Sequence, residues 1–486
     1  MRSICAYLSA VLIPMAVMDD GIAFSGKFVY NAKLSDDPHK DMGSVGRIFR
    51  NAALKKGGNR SMREIAIIGG GAAGMLASLY ASGPGIRVHV FEKNDRLGRK
   101  LFITGKGRCN LTNDCSRDQF LASVMSNGKF LYSAFTGFSN QDVVKLFHSL
   151  GVRTKVERGN RVFPQSDHSS DVIRSLERRM RELQVRIHLK STVTGLIVRE
   201  GKVAGVTLEN GAEIPADAVL VATGGLSYPV TGSTGDGFFF AENEGLKVTA
   251  PAPSLVPMET AESYMTDMQG LSLRNVELRL GQKGKVMFRE FGEMLFTHFG
   301  ISGPLVLTAS AKVGKNLAKG PLQGEIDLKP ALDAEQLDRR ILRDFEENKN
   351  KQFKNILGGL LPSKLIAPAL SLSSIAGDAP VHGIEKKDRL AFGRLLKAFP
   401  FTVTGLRGYD EAIITRGGVS VREINPRTME AKKVSGLYFA GEVLDLDALT
   451  GGFNLQIAWS TAHAAGVHMS GGKKSDNESE ENDHEF

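Results

Sequence analysis

The sequence predicts an α/β fold in which a parallel-sheet domain is assembled from two separated segments, with a β-barrel-like and then helical domain inserted between them. Three observations carry this. A buried apolar run, a glycine turn and an apolar helix open the organised chain at "REIAIIGGGAAGMLASLYAS". Strand-like sequence of another kind, broken by glycine turns and followed by helical residues, fills the middle. A short apolar strand and a glycine turn entering a helix then return at "GLYFAGEVLD" and "GGFNLQIAWSTAHAAG".

The first element is the sharpest. "EIAII" is a fully apolar strand, "GGGAAG" is the turn, and Met75, Leu76 and Leu79 share one face of the helix that follows. "RVHVFEKN" is the next strand, which makes a βαβ unit. Gly69, Gly71 and Gly74 satisfy G-x-G-x-x-G, and Glu92 closes the second strand. Each residue type has a reason: a tight turn, close approach of backbone to a pyrophosphate, close helix packing, and a carboxylate for ribose hydroxyls. The unit is Rossmann-like, and an acid in that position favours FAD or NAD over NADP.

After a glycine-rich loop, "NQDVVKLFHSLGV" reads as a helix with Asn140 as cap and Gly151 as stop. A basic helix over Asp171–Leu183 leads into three alternating segments broken at "REGK" and "ENGA", a β-meander. Ala218–Ala222 is another buried strand that exits into Thr223, Gly224 and Gly225, a small-residue opening where a parallel sheet admits a ligand. The first segment of the domain is thus 62–252, the inserted domain 253–400, and the second segment 401–470.

The flanks differ. In residues 1–61, "ICAYLSAVLIPMAVM" has the look of a signal h-region without a cleavage site, and Met62 directly before the first strand fits an upstream misassigned start equally well. Residues 471–486 form an acidic tail of disordered composition. The formal net charge is +9 even with that tail, so the body is distinctly basic, which suits a phosphate-rich partner or an ordinary solvated surface. Cys5, Cys109 and Cys115 form no CxxC pair, which fits a reducing, cytoplasmic setting and no metal set. No stable membrane association is expected.

Cofactor residues from both ends of a chain point to a permanently held flavin rather than an exchanging nicotinamide. Gly441 and Glu442 reach toward the ribityl or pyrophosphate part, and the backbone of Gly451, Gly452, Phe453 and Asn454 opens a helix N-terminus suited to an anionic ring.

Four motifs, "GRKLFITGKGRCNLTN", "ATGGLSYPVTGSTGDG", "GEMLFTHFGISGP" and "TRGGVSVREINPRTMEAKKVSGLYFAGEVLDLDALTGGFNLQIAWS", closely resemble the BaiN/RdsA family of bacterial NAD(P)/FAD-dependent oxidoreductases, also described as aminoacetone-oxidase-like flavoproteins. The resemblance runs from about Met62 to Gly466. Phe453 stands where the family often has tyrosine and Ala431 where it often has serine. It implies FAD as cofactor with NAD(P)H as electron donor, and a loop after the βαβ unit that runs along the cofactor. Lys100, Gly105, Gly107, Arg108, Cys109 and Asn110 are then cofactor contacts, together with Thr223 and Gly224.

The implied chemistry is reduction of an activated C=C bond, with Cys109 the first expected proton donor, His298 the second and Tyr228 the third. Two substrates follow from the resemblance: a 23S ribosomal RNA uridine, reduced to dihydrouridine, or a small steroid-like enone. The basic runs "RSLERRMRELQVR" and "KNKQFK" favour RNA, although no aromatic-interleaved RNA motif accompanies them. An oxidase acting on amines or aminoketones with O₂, and a non-catalytic flavin-bearing RNA-binding protein, would keep the same FAD residues. There is no second G-x-G-x-x-G domain, so NAD(P)H is expected to dock directly over the flavin.

Overall fold

The computed structural model describes residues 62–472. The readings of residues 1–61 and of the acidic sequence beyond Gly472 lie outside the described residues.

Five parallel strands form the central sheet in the order Leu437–Phe439, Ala218–Val221, Arg63–Ile68, Ile86–Glu92, Arg186–Leu189. Ile65 pairs with Val88 on one side and Ala218 on the other, and Val219 pairs with Leu437 from the distant second segment. Ile65 through Ile68 and Ala218 through Val221 are all buried, which is why these strands read as unbroken apolar runs rather than alternating ones. Helix Ala72–Ala81 and the C-terminal helix Phe453–Met469 pack on one another and on the sheet, so the two segments share one core that includes Trp459 and Phe439. The meander is a separate antiparallel sheet of Val193–Arg199, Lys202–Leu208 and Glu213–Pro215.

Helix Asn140–Ser149 is capped differently from the sequence reading. Ser139 is the cap: its Oγ accepts from Asp142 N, and the Asp142 carboxylate accepts from Ser139 N. The buried Asn140 amide instead donates to the carbonyls of Asn113 (2.7 Å) and Cys115 (2.9 Å) and so ties down the preceding loop.

The inserted part is a closed six-stranded antiparallel barrel of Met258–Thr260, Gly300–Ser302, Lys285–Thr297, Ser272–Gln282, Leu322–Asp327 and Phe399–Leu406. Its last strand runs past residue 400, because Phe399, Phe401 and Val403 alternate inward. Helices Ala334–Glu347, Ser363–Leu372 and Lys386–Lys397 share the barrel's core through Ile341, Leu365 and Leu396. An antiparallel ribbon of Val248–Ser254 with Ile414–Val419 carries the chain into and out of this insertion.

Candidate functional site

The parallel sheet ends at a cleft of ≈ 1290 Å³, counted with its open mouth. Its floor is the glycine turn. A Cβ on Gly74 would stand 1.9 Å from Gly69 O, and one on Gly69 would stand 2.5 Å from Ala222 O, so both glycines serve close packing. Gly71 is different: a Cβ there would meet nothing within 4 Å and would project into the cleft. Gly71 is also the N-cap of helix Ala72–Ala81 and offers no side-chain cap, which leaves the helix's first N–H groups for an anion.

Glu92 is 8% exposed at the end of its strand. Its Oε2 accepts from Gly70 N at 2.9 Å and its Oε1 from Asn94 N and Nδ2 at 2.8 and 2.7 Å. The carboxylate therefore shapes the glycine turn while its edge still lines the cleft. Across the mouth, Lys93 pairs with Asp236 at 2.7 Å. On the opposite side Lys100 pairs with Glu442 at 2.6 Å, and Glu442 Oε1 accepts from Thr415 N (2.9 Å) and Ser227 Oγ (3.1 Å). Thr223 lines the same space and its buried Oγ1 has no hydrogen-bond partner among the described residues. Open space at Gly71 and an uncapped helix start are what a bound dinucleotide would fill.

Of the residues anticipated from sequence, Gly69, Gly71, Glu92, Lys100, Thr223, Gly224, Gly441, Glu442 and Asn454 come together on the cleft wall, and Gly74 packs directly beneath it. The loop Gly105–Asn110 behaves differently, since only Thr104 just before it lines the cleft. Arg108 is held by Glu157 and Asp167 and lies over the Phe163 ring at 4.2 Å; it keeps the Glu157 carboxyl below its ordinary range, and Lys155 together with Arg108 does the same for Asp167. Asn110, in the amide orientation its neighbours require, accepts from Gly452 N at 3.0 Å and donates to Thr112 O and Val162 O. Gly105 and Gly107 take left-handed turns outside the cleft lining. This loop therefore clamps the start of the C-terminal helix. Gly452 lies so close to Thr112 O that a Cβ would stand 2.4 Å away, and Gly451 O accepts from Asn113 Nδ2 at 2.9 Å. Phe453 packs near Phe120, and Asn454 and Leu455 are the residues of this helix start that reach the cleft, with Ile457 and Ala458 behind them.

None of the three expected proton donors lines the cleft. Cys109 is fully buried in the main core, and burial pushes its thiol well above the ordinary range. His298 is exposed at the turn between two barrel strands, against Phe299. Tyr228 is half-buried with φ +53°, and burial followed by nearby Glu411 raises its phenol.

The basic helix, which spans Ser169–Glu182, satisfies its own charges. Arg174 pairs with Asp171, Arg178 and Arg179 with Glu182, and Arg181 with Glu177, all one turn apart. It is a solvated face rather than an open cationic surface.

Sequence reasoning missed Lys93, Asn94, Asp236 and the Thr231–Ser233 turn, which close the cleft at the Glu92 end. The polar "KND" directly after the strand's acid was the available signal. It also missed Asp447, buried beside cleft-lining Leu446, with both carboxylate oxygens lacking partners among the described residues; burial raises its pKa.

A parallel sheet with this glycine turn, an acid at the next strand end and a second helix start at the same cleft form a dinucleotide site, and with the family and relatives that follow they place the chain among the FAD-dependent oxidoreductases. The chain belongs to the HI0933-like family, since the family model described as "HI0933-like protein Rossmann domain" matches residues 63–468. It is 33% identical over 412 residues to the ribosomal RNA dihydrouridine synthase of Haemophilus influenzae, covering 84% of this chain and 98% of that protein. It is 31% identical over 416 residues to the 3-dehydro-bile acid Δ4,6-reductase of Clostridium scindens, covering 83% and 98%. A solved structure of 3-ketosteroid Δ1-dehydrogenase from Sterolibacterium denitrificans matches with a TM-score of 0.48 at 14% identity, covering 84% of this chain and 99% of that one.

Proposed function

We propose that this protein reduces the activated C=C bond of a uridine in 23S ribosomal RNA, giving dihydrouridine, with NAD(P)H as the electron source. FAD, when bound, supplies hydride transfer. The chain supplies the rest. The Gly71 turn and helix start would hold the pyrophosphate, Glu92 would order the ribose end, and Lys100 with Glu442 would set the far wall. The backbone N–H groups of Asn454 and Leu455, in the uncapped first turn of their helix, would favour negative charge on a ring held there.

The observation that carries the reading is that the two relatives above, each matched over 98% of its length, bear names for C=C reductions. RNA is preferred over a small enone because, among the described residues, cleft-lining Arg99 has no carboxylate partner and bonds only the Asn94 side-chain oxygen, and exposed Lys106 in the loop that follows has no partner. The bile acid reductase relative supports a small enone as the second reading.

The test is anaerobic. The purified flavoprotein is reduced with NADPH or NADH, excess donor is removed, and unmodified 23S rRNA transcript or a steroid-like enone is added. Reoxidation by the transcript, with stoichiometric dihydrouridine, supports the proposal. Reoxidation by the enone alone moves the assignment to the small molecule. Rapid peroxide formation with amines and no response to either acceptor identifies an oxidase.

A further inference from the structure

We propose that Phe102, Ile103 and Lys106 form an RNA-docking lip at the mouth of the cleft, which grips nucleotides flanking the target base. This rests on the uridine-reductase reading. The short helix Arg99–Ile103 is two-sided: Arg99, Lys100 and Leu101, with Thr104 after them, line the cleft, while Phe102 and Ile103 are 53% and 40% exposed. Single exposed apolar side chains are ordinary, but here a phenyl ring and a branched aliphatic chain are consecutive exposed residues of the short helix whose preceding residues line the cleft.

Their backbone is fixed. Phe102 N donates to Gly98 O at 2.8 Å and Phe102 O accepts from Ser169 Oγ at 2.6 Å. The next turn is held with equal firmness, because Cys109 N donates to Thr104 O at 2.9 Å and Gly107 O accepts from Ser169 N at 2.9 Å. Within that turn Lys106 takes φ +60°, a left-handed conformation that lysine adopts at a cost, and its ammonium is left without a partner among the described residues. The contrast with its neighbours is informative: Arg108 and Lys155, a few residues away in space, are neutralised by Glu157 and Asp167.

An exposed aromatic ring and, four residues on, a cation without a partner among the described residues can together take a base on the ring's face and a phosphate at its side. The lip's shape decides between polymer and small molecule. A small ligand is gripped by concave walls, whereas outward-projecting side chains can only touch parts of a substrate that stay outside. A polymer whose target base is turned out toward a cofactor held in the cleft has such parts, namely the adjacent nucleotides.

The test compares Phe102→Ser/Ile103→Ser and, separately, the milder Lys106→Gln with the wild-type holoenzyme. FAD per chain, steady-state reduction of a steroid-like enone, and dihydrouridine formation on unmodified 23S rRNA transcript are measured over a salt series. The lip predicts FAD content and enone kinetics within twofold of wild type in both variants. It predicts an RNA KM about tenfold higher for the double variant. For Lys106→Gln it predicts a salt dependence shallower by about one unit in log–log slope. Wild-type RNA kinetics in both variants would overturn the lip and leave the uridine-reductase reading standing. A wild-type protein that neither binds nor modifies the transcript would overturn both. Equal changes in KM for the enone and RNA would assign these side chains to a small substrate and overturn the lip.

Discussion

The glycine turn gives the sharpest prediction, because its three glycines are required for different reasons. Gly71→Asp places a carboxylate in open space at an uncapped helix start, where the cofactor's pyrophosphate is expected. Two like charges about 4 Å apart at an effective dielectric of about 20 repel by about 4 kcal/mol, which is roughly a thousandfold in affinity. Since no atom lies within 4 Å of the new Cβ, the fold should tolerate the change. Gly74→Ala is the reverse case. Its methyl would stand 1.9 Å from Gly69 O, so the strand–helix junction must shift, at about 1–3 kcal/mol or more. The assay is paired: flavin absorbance per chain with FAD titration of the apoprotein, and thermal unfolding of the apoproteins. Gly71→Asp should lose FAD while keeping the wild-type apoprotein Tm, and Gly74→Ala should lower that Tm. A Gly71→Asp protein that purifies with one FAD per chain would refute the placement of the pyrophosphate.

Three further predictions concern stability and chemistry. His463 packs between Tyr80 and Phe138, and burial lowers its pKa to about 4, against which nearby Asp142 acts only weakly. The unfolded chain binds this proton near pH 6.5, so the stability from keeping the ring neutral is complete above pH 6.5. It is lost as pH falls toward 4, by about 3 kcal/mol in total; urea titrations of His463→Leu should show a flatter pH dependence across that window. Cys109→Ser should retain most reductase turnover, because the buried thiol is shut off from the cleft; a loss of a hundredfold or more at full FAD occupancy would restore it as proton donor. Ser139→Ala removes the cap of helix Asn140–Ser149 and should cost about 1 kcal/mol in urea unfolding, with FAD content unchanged.

Much of this architecture was legible because it is written locally. The Gly69–Gly74 turn, Glu92 and the apolar runs around them are contiguous, and their spacing reflects strand and helix periods. The small-residue exit at Thr223 and Gly224 was readable for the same reason, and it does open on the cleft. What escaped were choices between neighbours of similar chemistry and pairings across the chain. Ser139 and Asn140 can both cap a helix; only the tertiary demand of the Asn113 and Cys115 carbonyls engages Asn140 elsewhere. The Lys100–Glu442 and Lys93–Asp236 pairs join residues far apart in sequence, which no local pattern encodes. Arg108 and the basic helix misled in one direction. A run of cations does not announce its carboxylate partners, and Glu157, Asp167, Glu177 and Glu182 neutralise charge that composition alone offered to RNA.

The central claim is that a uridine of 23S ribosomal RNA is the substrate. The most direct test is quantitative mass spectrometry of dihydrouridine in 23S rRNA from the source organism and from a strain deleted for this gene. The account predicts that one dihydrouridine disappears on deletion, returns with the intact gene, and fails to return with Gly71→Asp. An rRNA profile unchanged by the deletion would contradict it.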